Sequence, residues 1–278
     1  MKPIRKLALV VNRDKPGAEA LAHQLAAEAK TKGLETRITH DYPVPEGFLK
    51  DQDACCVLGG DGTLLGAVAE STRWQTPLIG INQGKLGFLA TFSPDEARQQ
   101  FLTLLEGHYQ VVDRMVLSCK TADGQSALAL NDIVIKHSGN SHLIGLGVFS
   151  NDELVTDYYC DGLIFATPTG STAYNLSAGG PIVHPAAQVI TMTPICPHTL
   201  TNRSLIFEAR CCLHVHALES QAPAQVNVDG QSPFGTEPLL PLTIRIAPKS
   251  LPLLQPKAHS HFRILRNKLR WGSESEQP

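Results

Sequence analysis

Apolar and polar positions change rhythm after His108. Before it, short apolar runs alternate with segments spaced at three and four. Lys6 to Val11 form an apolar, β-branched run that stops at Asn12. Leu21, Leu25 and Ala29 then fall on one face of a helix predicted over Ala18–Lys32, and Gly33 ends it as a C-cap glycine does. Leu34–Thr39 reads as the next strand. Val57 and Leu58 close a third, which runs straight into Gly59-Gly60-Asp61-Gly62, with a helix expected from near Thr63. Pro77–Ile81 is a fourth strand. Ser93-Pro94-Asp95-Glu96 supplies an N-cap, a proline at the first helical position and a capping-box glutamate, so a helix should follow as far as Gly107. Strands alternating with helices predict a parallel sheet.

Beyond His108 the helical spacing disappears. Val111–Cys119, Ala127–Lys136, Ile144–Ser150, Leu205–Glu208, Leu213–Leu218, Gln225–Asp229 and Leu242–Ile246 read as strands, with Asp123-Gly124 as a hairpin turn. This is the pattern of an all-β half built from two packed sheets. The stretch from His259 to Trp271 returns to helical spacing through Phe262, Leu265 and Leu269, and Ser273–Pro278 reads as a disordered end. The expectation is an α/β domain with a Rossmann-like parallel sheet over 1–108, a β-sandwich over 109–258, and a tail over 259–278 whose helix packs back.

Composition narrows the class without naming a function. A chain of 278 residues has room for two domains. A formal charge of −2 argues against a dedicated nucleic-acid binder. At 42% hydrophobic and 18% charged, the chain is not of the disordered kind. No window approaches the roughly 20 apolar residues of a membrane span. The first apolar run is short and no small-residue cleavage site follows it, so no signal peptide is expected. The seven cysteines include two adjacent pairs, Cys55–Cys56 and Cys211–Cys212, and no C-x-x-C. Neighbours on a strand face opposite ways, so neither pair is a ready chelate. Reduced, packed thiols in a cytoplasmic protein are the expectation.

Four segments carry candidate chemistry. Gly59-Gly60-Asp61-Gly62-Thr63 lies between a strand and a helix, where glycines admit a ligand close to the backbone and free amides attract anions. A carboxylate is out of place in a pure phosphate cradle. Asp61 makes sense there if it takes a proton from an attacking hydroxyl or helps hold a metal. The second segment, Asp161-Gly162-Leu163 through Thr167-Pro168-Thr169-Gly170-Ser171-Thr172-Ala173-Tyr174-Asn175-Leu176-Ser177-Ala178-Gly179-Gly180-Pro181, is rich in hydroxyls and glycine. It suits a sugar or a nucleotide, with Tyr174 offering a stacking face. Asn131-Asp132 could pair with an adenine edge and grip a ribose diol, although Asn-Asp is also a common turn. Asp229-Gly230-Gln231 alone reads as a hairpin turn.

Taken together and in this order, GGDGTLL at 59–65, NQGKLGFLA at 82–90, ND at 131–132, DGLIFATPTGSTAYNLSAGGPIV at 161–183, TPICPHTL at 193–200 and DGQ at 229–231 resemble the NAD kinase family. GGDGT is shared with diacylglycerol-type lipid kinases; the TPTGSTAYNLSAGGPI block is far more specific. The resemblance implies transfer of the γ-phosphoryl group of ATP, or of inorganic polyphosphate, to the 2′-hydroxyl of the adenosine ribose of NAD. It implies Asp61 as the base and Gly59, Gly60, Gly62 and Thr63 as the phosphate loop. It also implies an NAD site of Asp61, Gly62, Asn131, Asp132, His142, Tyr159, Asp161, Thr172, Ala173, Tyr174, Asn175, Leu176, Ser177 and Gln231. A divalent cation, Mg²⁺, would ride on phosphate oxygens and water, with no direct protein ligand. The protein would be a homodimer or homotetramer, with no nucleic-acid or membrane partner.

Two departures from the family stand out. Asp132 stands where relatives often have Glu, which changes reach and not charge. Many relatives place a basic residue near the positions of His142 and Tyr159, where this chain has no permanent cation; Lys136 or Lys85 could supply that contact. Cys160 reads as a small packed residue. Two other readings are a lipid kinase using the same loop and a non-catalytic NAD(P)-binding sensor. The first should lack the TPTGSTAY block and the second should lack Asp61.

Overall fold

The computed structural model describes residues 3–84, 87–90, 92–139, 143–199, 201–218, 223–235, 239–255 and 260–271. The chain divides into two compact units, Met1–Val112 with Pro252–Pro278, and Asp113–Leu251.

The first unit opens with β1 (Lys6–Val11), α1 (Ala18–Thr31), β2 (Glu35–Thr39), β3 (Ala54–Gly59), α2 (Asp61–Leu65), α3 (Val68–Trp74), β4 (Leu78–Asn82) and α4 (Pro94–Leu105). β5 (Gln110–Arg114) follows. β1 pairs in parallel with β2 and β3, and β3 with β4. α1 buries Ala18, Leu21, Ala22, Leu25, Ala26 and Ala29, the face that the three-and-four spacing marked. That face packs with Leu7, Leu9 and Val11 of β1 and with Phe101 of α4 in one buried cluster. Each such leucine contributes about 1.5–3 kcal/mol by leaving water. The capping box of α4 forms as expected: Glu96 N–H donates to Ser93 Oγ at 3.2 Å, and Ser93 N–H donates to the Glu96 carboxylate at 2.8 Å.

The second unit contains β6 (Leu117–Lys120), β7 (Ser126–Ala129), β8 (Asp132–His137), β9 (Ile144–Ser150), β10 (Glu153–Cys160) and β11 (Gly162–Ala166). A 3-10 turn (Gly170–Thr172), α5 (Tyr174–Ser177), β12 (Val189–Ile195), β13 (Leu205–Glu208), β14 (Leu213–Ala217), β15 (Ala224–Val228) and β16 (Leu242–Ile246) complete it. One sheet runs β10-β9-β14-β16-β6-β7 and the other β13-β12-β11-β8-β15. Leu117, Leu146 and Leu213 of the first and Ile133, Phe165 and Val226 of the second share one buried cluster. This is a sandwich with a common core.

β17 (Leu251–Gln255) and α6 (His261–Leu269) end the described chain. β17 completes the first sheet, whose order is β2-β1-β3-β4-β17-β5. The return to the first unit therefore begins at β17 and not at the tail helix, and the first unit reaches past 108 because β5 joins its sheet. The run expected as one strand over Val111–Cys119 is two strands in different sheets. The charged pair Asp113-Arg114 interrupts the run, and the chain leaves β5 at Arg114 and enters β6 at Leu117. The run Ala127–Lys136 likewise splits, at Leu130–Asn131, into β7 and β8. The expected disordered end, Ser273–Pro278, lies outside the described residues. Among those residues, no helix is long and apolar enough to cross a membrane.

Candidate active site

In the first unit the glycine-rich loop sits at the carboxyl end of β3. Open parallel sheets bind ligands beyond the carboxyl ends of their strands. Gly59 is the last residue of β3 and Gly60 caps α2, which begins at Asp61 rather than near Thr63. Thr63 Oγ1 accepts from Asn12 Nδ2 at 3.1 Å, tying the end of β1 to the loop. A cavity of 680 Å³ opens beside it, lined by Asn12, Arg13, Lys15 and His40 together with Gly60–Thr63. His40 Nε2 lies 2.9 Å from Glu19 Oε2, and Arg13 Nε 3.6 Å from the same oxygen.

Asp61 does more than project from a turn. Its Oδ2 accepts from Phe88 N–H at 2.9 Å, and its Oδ1 accepts from Leu89 N–H at 3.2 Å and Ala90 N–H at 3.0 Å. An ionised carboxylate offers about four acceptor positions. Oδ1 is filled by two donors, and Oδ2 keeps one position open. Any proton that Asp61 accepts while this arrangement stands goes to Oδ2.

In the second unit, Asp132 is 5% exposed at the first position of β8. Burial and the neighbouring Asp229 carboxylate push its carboxyl up to about 7, against the pull of the Tyr174 backbone N–H. Asn131 precedes it. A Cβ on Gly170 would lie 2.0 Å from the Asn131 carbonyl oxygen, so glycine is required where the 167–172 segment crosses the turn. Thr167 N–H donates to that carbonyl at 2.9 Å. The segment from Thr172 to Ser177 is a 3-10 turn running into the one-turn α5, and not an open loop. Tyr174 is 47% exposed, so its ring is available for stacking.

Asn175 is a correction. It is fully buried, its Nδ2 donates to the Ser171 and Pro181 carbonyls, each at 3.1 Å, and its Oδ1 accepts from Thr193 Oγ1 at 2.7 Å. Its side chain braces the segment and is committed away from any ligand. Thr172, Ala173 and Leu176 are partly exposed and Ser177 is exposed. Asp161 is exposed between β10 and β11, and Tyr159 is exposed on β10. Gln231 closes a hairpin with Val228 through bonds of 2.7 and 3.0 Å. Cys160 is fully buried, and burial pushes its thiol up to about 12, as suits a packed and unreactive residue. His142 and Lys85 lie outside the described residues. Lys136 lies on β8, opposite Gly162 of β11.

One residue received no role in the sequence reading. Asp229, placed there in a turn and in the DGQ segment of the resemblance, directs its carboxylate at the backbone of Leu130, Asn131 and Asp132. No local signal announces this contact.

A glycine-rich loop with a held carboxylate on one unit, and a hydroxyl-rich turn with an exposed aromatic face on the other, are each of the kind that phosphotransferases acting on nucleotides use. The family models for the N-terminal and C-terminal domains of ATP-NAD kinase match residues 44–109 and 130–255. The NAD kinase of Lachnoclostridium phytofermentans is 36% identical over 281 residues, covering 95% of this chain and 99% of that one. A Pseudomonas putida NAD kinase is 40% identical over 226 residues, covering 80% and 76%. Among solved structures, an Archaeoglobus fulgidus NAD kinase in complex with ATP superposes with a TM-score of 0.80 at 26% identity, covering 95% of this chain and 98% of that one. Yeast NADH kinase complexed with NADH shares the fold, with a TM-score of 0.89 at 24% identity over 100% of this chain and 91% of that one. The chain belongs to the NAD kinase family.

Proposed function

We infer that the chain phosphorylates NAD to NADP, taking the γ-phosphoryl group of ATP onto the 2′-hydroxyl of the adenosine ribose. Family membership across nearly the whole chain carries this reading, together with an intact Asp61 in the glycine-rich loop. The ribose O2′–H donates its proton to Asp61 Oδ2, O2′ forms the new bond to the γ-phosphorus, and the bond to the β–γ bridging oxygen breaks, releasing ADP. A positioned base of this kind contributes about 10²–10⁴-fold. The Gly62 amide would face the transferring phosphates, since phosphoryl transfer depends on positioning and electrostatics. Thr63 N–H donates to the Gly60 carbonyl at 3.0 Å and Gly60 N–H to Thr63 Oγ1 at 3.4 Å, so these two hold the loop's shape.

On the acceptor side, Asp132 would hold the ribose diol and Asn131 the adenine edge. Tyr174 would stack on the base, with Gly62, Tyr159, Asp161, Thr172, Ala173, Leu176, Ser177 and Gln231 completing the site. Among the described residues, no group of three or more His, Cys, Asp or Glu could hold a metal ion. Asp61 already spends three acceptor positions on backbone amides. A protein cage for Mg²⁺ is therefore a poor fit, and the cation would ride on the donor's phosphate oxygens and water, where it neutralises charge. The free cysteines suit a reducing, cytoplasmic setting. The exposed Leu154 and Tyr159 on the edge strand β10 support self-association.

The test is direct. Purified protein with NAD, Mg²⁺ and either ATP or polyphosphate should form NADP with at least one donor. Absence of NADP with both would overturn the reading.

A further inference from the structure

β7 ends at Ala129 and β8 begins at Asp132, so the backbone at 130–132 passes between two strands. Backbone groups left off a ladder need partners. Here two residues supply them. Leu130 N–H donates to Asp229 Oδ2 at 2.8 Å, and Asn131 and Asp132 N–H both donate to Asp229 Oδ1, at 2.7 and 3.1 Å. Asp229 N–H returns a bond to the Asp132 carbonyl at 2.9 Å. Thr167 takes the other two carbonyls, its Oγ1 donating to Leu130 O and its N–H to Asn131 O. All six backbone groups of the turn are held, four of them by Asp229.

A plain hairpin turn would not need this residue. Asp229 and Gly230 have φ of +50° and +79°, the positive values that a type I′ turn demands, and Asn fills the first of those positions as well as Asp does. What separates the two is the side chain. All three groups facing it are donors, and only a carboxylate accepts at both oxygens. An amide would turn an N–H toward one of them. The choice also carries a cost: burial pushes the Asp229 carboxyl up to about 6 against the pull of its three backbone donors, and its charge in turn raises Asp132.

We propose that Asp229 is a positioning residue for NAD binding: its carboxylate fixes the Leu130–Asp132 backbone, so that the Asn131 amide and the Asp132 carboxyl stand in one arrangement before NAD arrives. The proposal rests on the reading of Asn131 and Asp132 as NAD contacts. Two consequences follow that stability alone would not produce. Disturbing Asp229 should act on NAD and spare the phosphoryl donor. It should also alter the titration of Asp132, because Asp229 is the charged group acting on it, alongside burial and the Tyr174 N–H.

The experiment compares Asp229→Asn, Asp229→Glu and Asp132→Asn with the wild type, each checked for folding by circular dichroism. The measurements are KM for NAD, KM for ATP, the pH dependence of KM for NAD, and amide hydrogen exchange at 130–132. Asp229→Asn should raise KM for NAD about ten- to hundredfold and leave KM for ATP unchanged. It should move the pH midpoint of the NAD profile downward and speed exchange at 130–132. Asp229→Glu keeps the charge but overreaches, so it should raise KM for NAD without moving the midpoint; it carries the test if the Asn variant fails to fold. Should Asp132→Asn raise KM for NAD while both Asp229 variants keep wild-type values and midpoints, the positioning role is overturned. Should Asp132→Asn also leave KM for NAD unchanged, the NAD-site reading beneath it has failed.

Discussion

A Cβ on Gly87 would lie 2.0 Å from Oδ1 of Asp61, closer than any real contact allows. The 87–90 backbone closes over the Asp61 carboxylate only because position 87 has no side chain. A lone carboxylate could swing aside for a methyl group. This one is tied by three amide bonds, so moving it breaks them.

Gly87→Ala should therefore displace the carboxylate while leaving its charge in place. Misplacing a reacting group by about 1 Å can cost on the order of 10²-fold. Steady-state kinetics should show kcat reduced about ten- to hundredfold. A wild-type kcat would mean that the geometry at Asp61 does not govern turnover.

Tyr174→Ala isolates the stacking face. The ring is 47% exposed, so its loss should leave Tm nearly unchanged. Stacking of a base on an aromatic ring contributes about 1–3 kcal/mol. KM for NAD should accordingly rise between about fivefold and a hundredfold. An unchanged KM removes Tyr174 from the site.

The glycine-rich loop was legible because a strand, a run of glycines and a helix start coincide within a few residues. What Asp61 holds was not. Its partners are backbone amides 27 to 29 positions away, and an amide has no sequence signature. Asp229 was hidden in the same way, behind a turn that its own residues explain and across separations of 97 to 99 positions. Composition marked the 167–181 segment as ligand-facing but could not sort it. The buried Asn175 and the exposed Tyr174 are neighbours of similar local character. The two split strands share one cause: each run carries a polar pair at its break, Asp113-Arg114 and Asn131-Asp132, and such a pair fits on the exposed face of one strand as readily as it ends one.

Asp132 links pH to both stability and binding. Its carboxyl is raised from 3.8 to about 7 in the folded chain. From about pH 4 to pH 7, the folded state holds a proton that the unfolded state has released. Stability from this group is thus full below pH 4 and is lost as pH rises through 7. Asp132→Asn removes the ionisation, so thermal melts should show a Tm above wild type at pH 8 and little difference at pH 4. The ionised form is the better acceptor for a ribose diol, so wild-type KM for NAD should fall from pH 6 to pH 8, and in the variant the fall above pH 7 should disappear, leaving only a change near pH 6 from Asp229. A wild-type KM with no slope over this range would contradict the assignment.

The most direct measurement is the turnover of Asp61→Asn with NAD and ATP, alongside calorimetric NAD binding and a check of the fold by circular dichroism. With the base removed and the new side-chain N–H turned toward Phe88 N–H, kcat should fall by at least about 10²–10⁴-fold, while the protein stays folded and still binds NAD. Turnover within a few-fold of wild type would contradict the role of Asp61 as the group that takes the ribose proton.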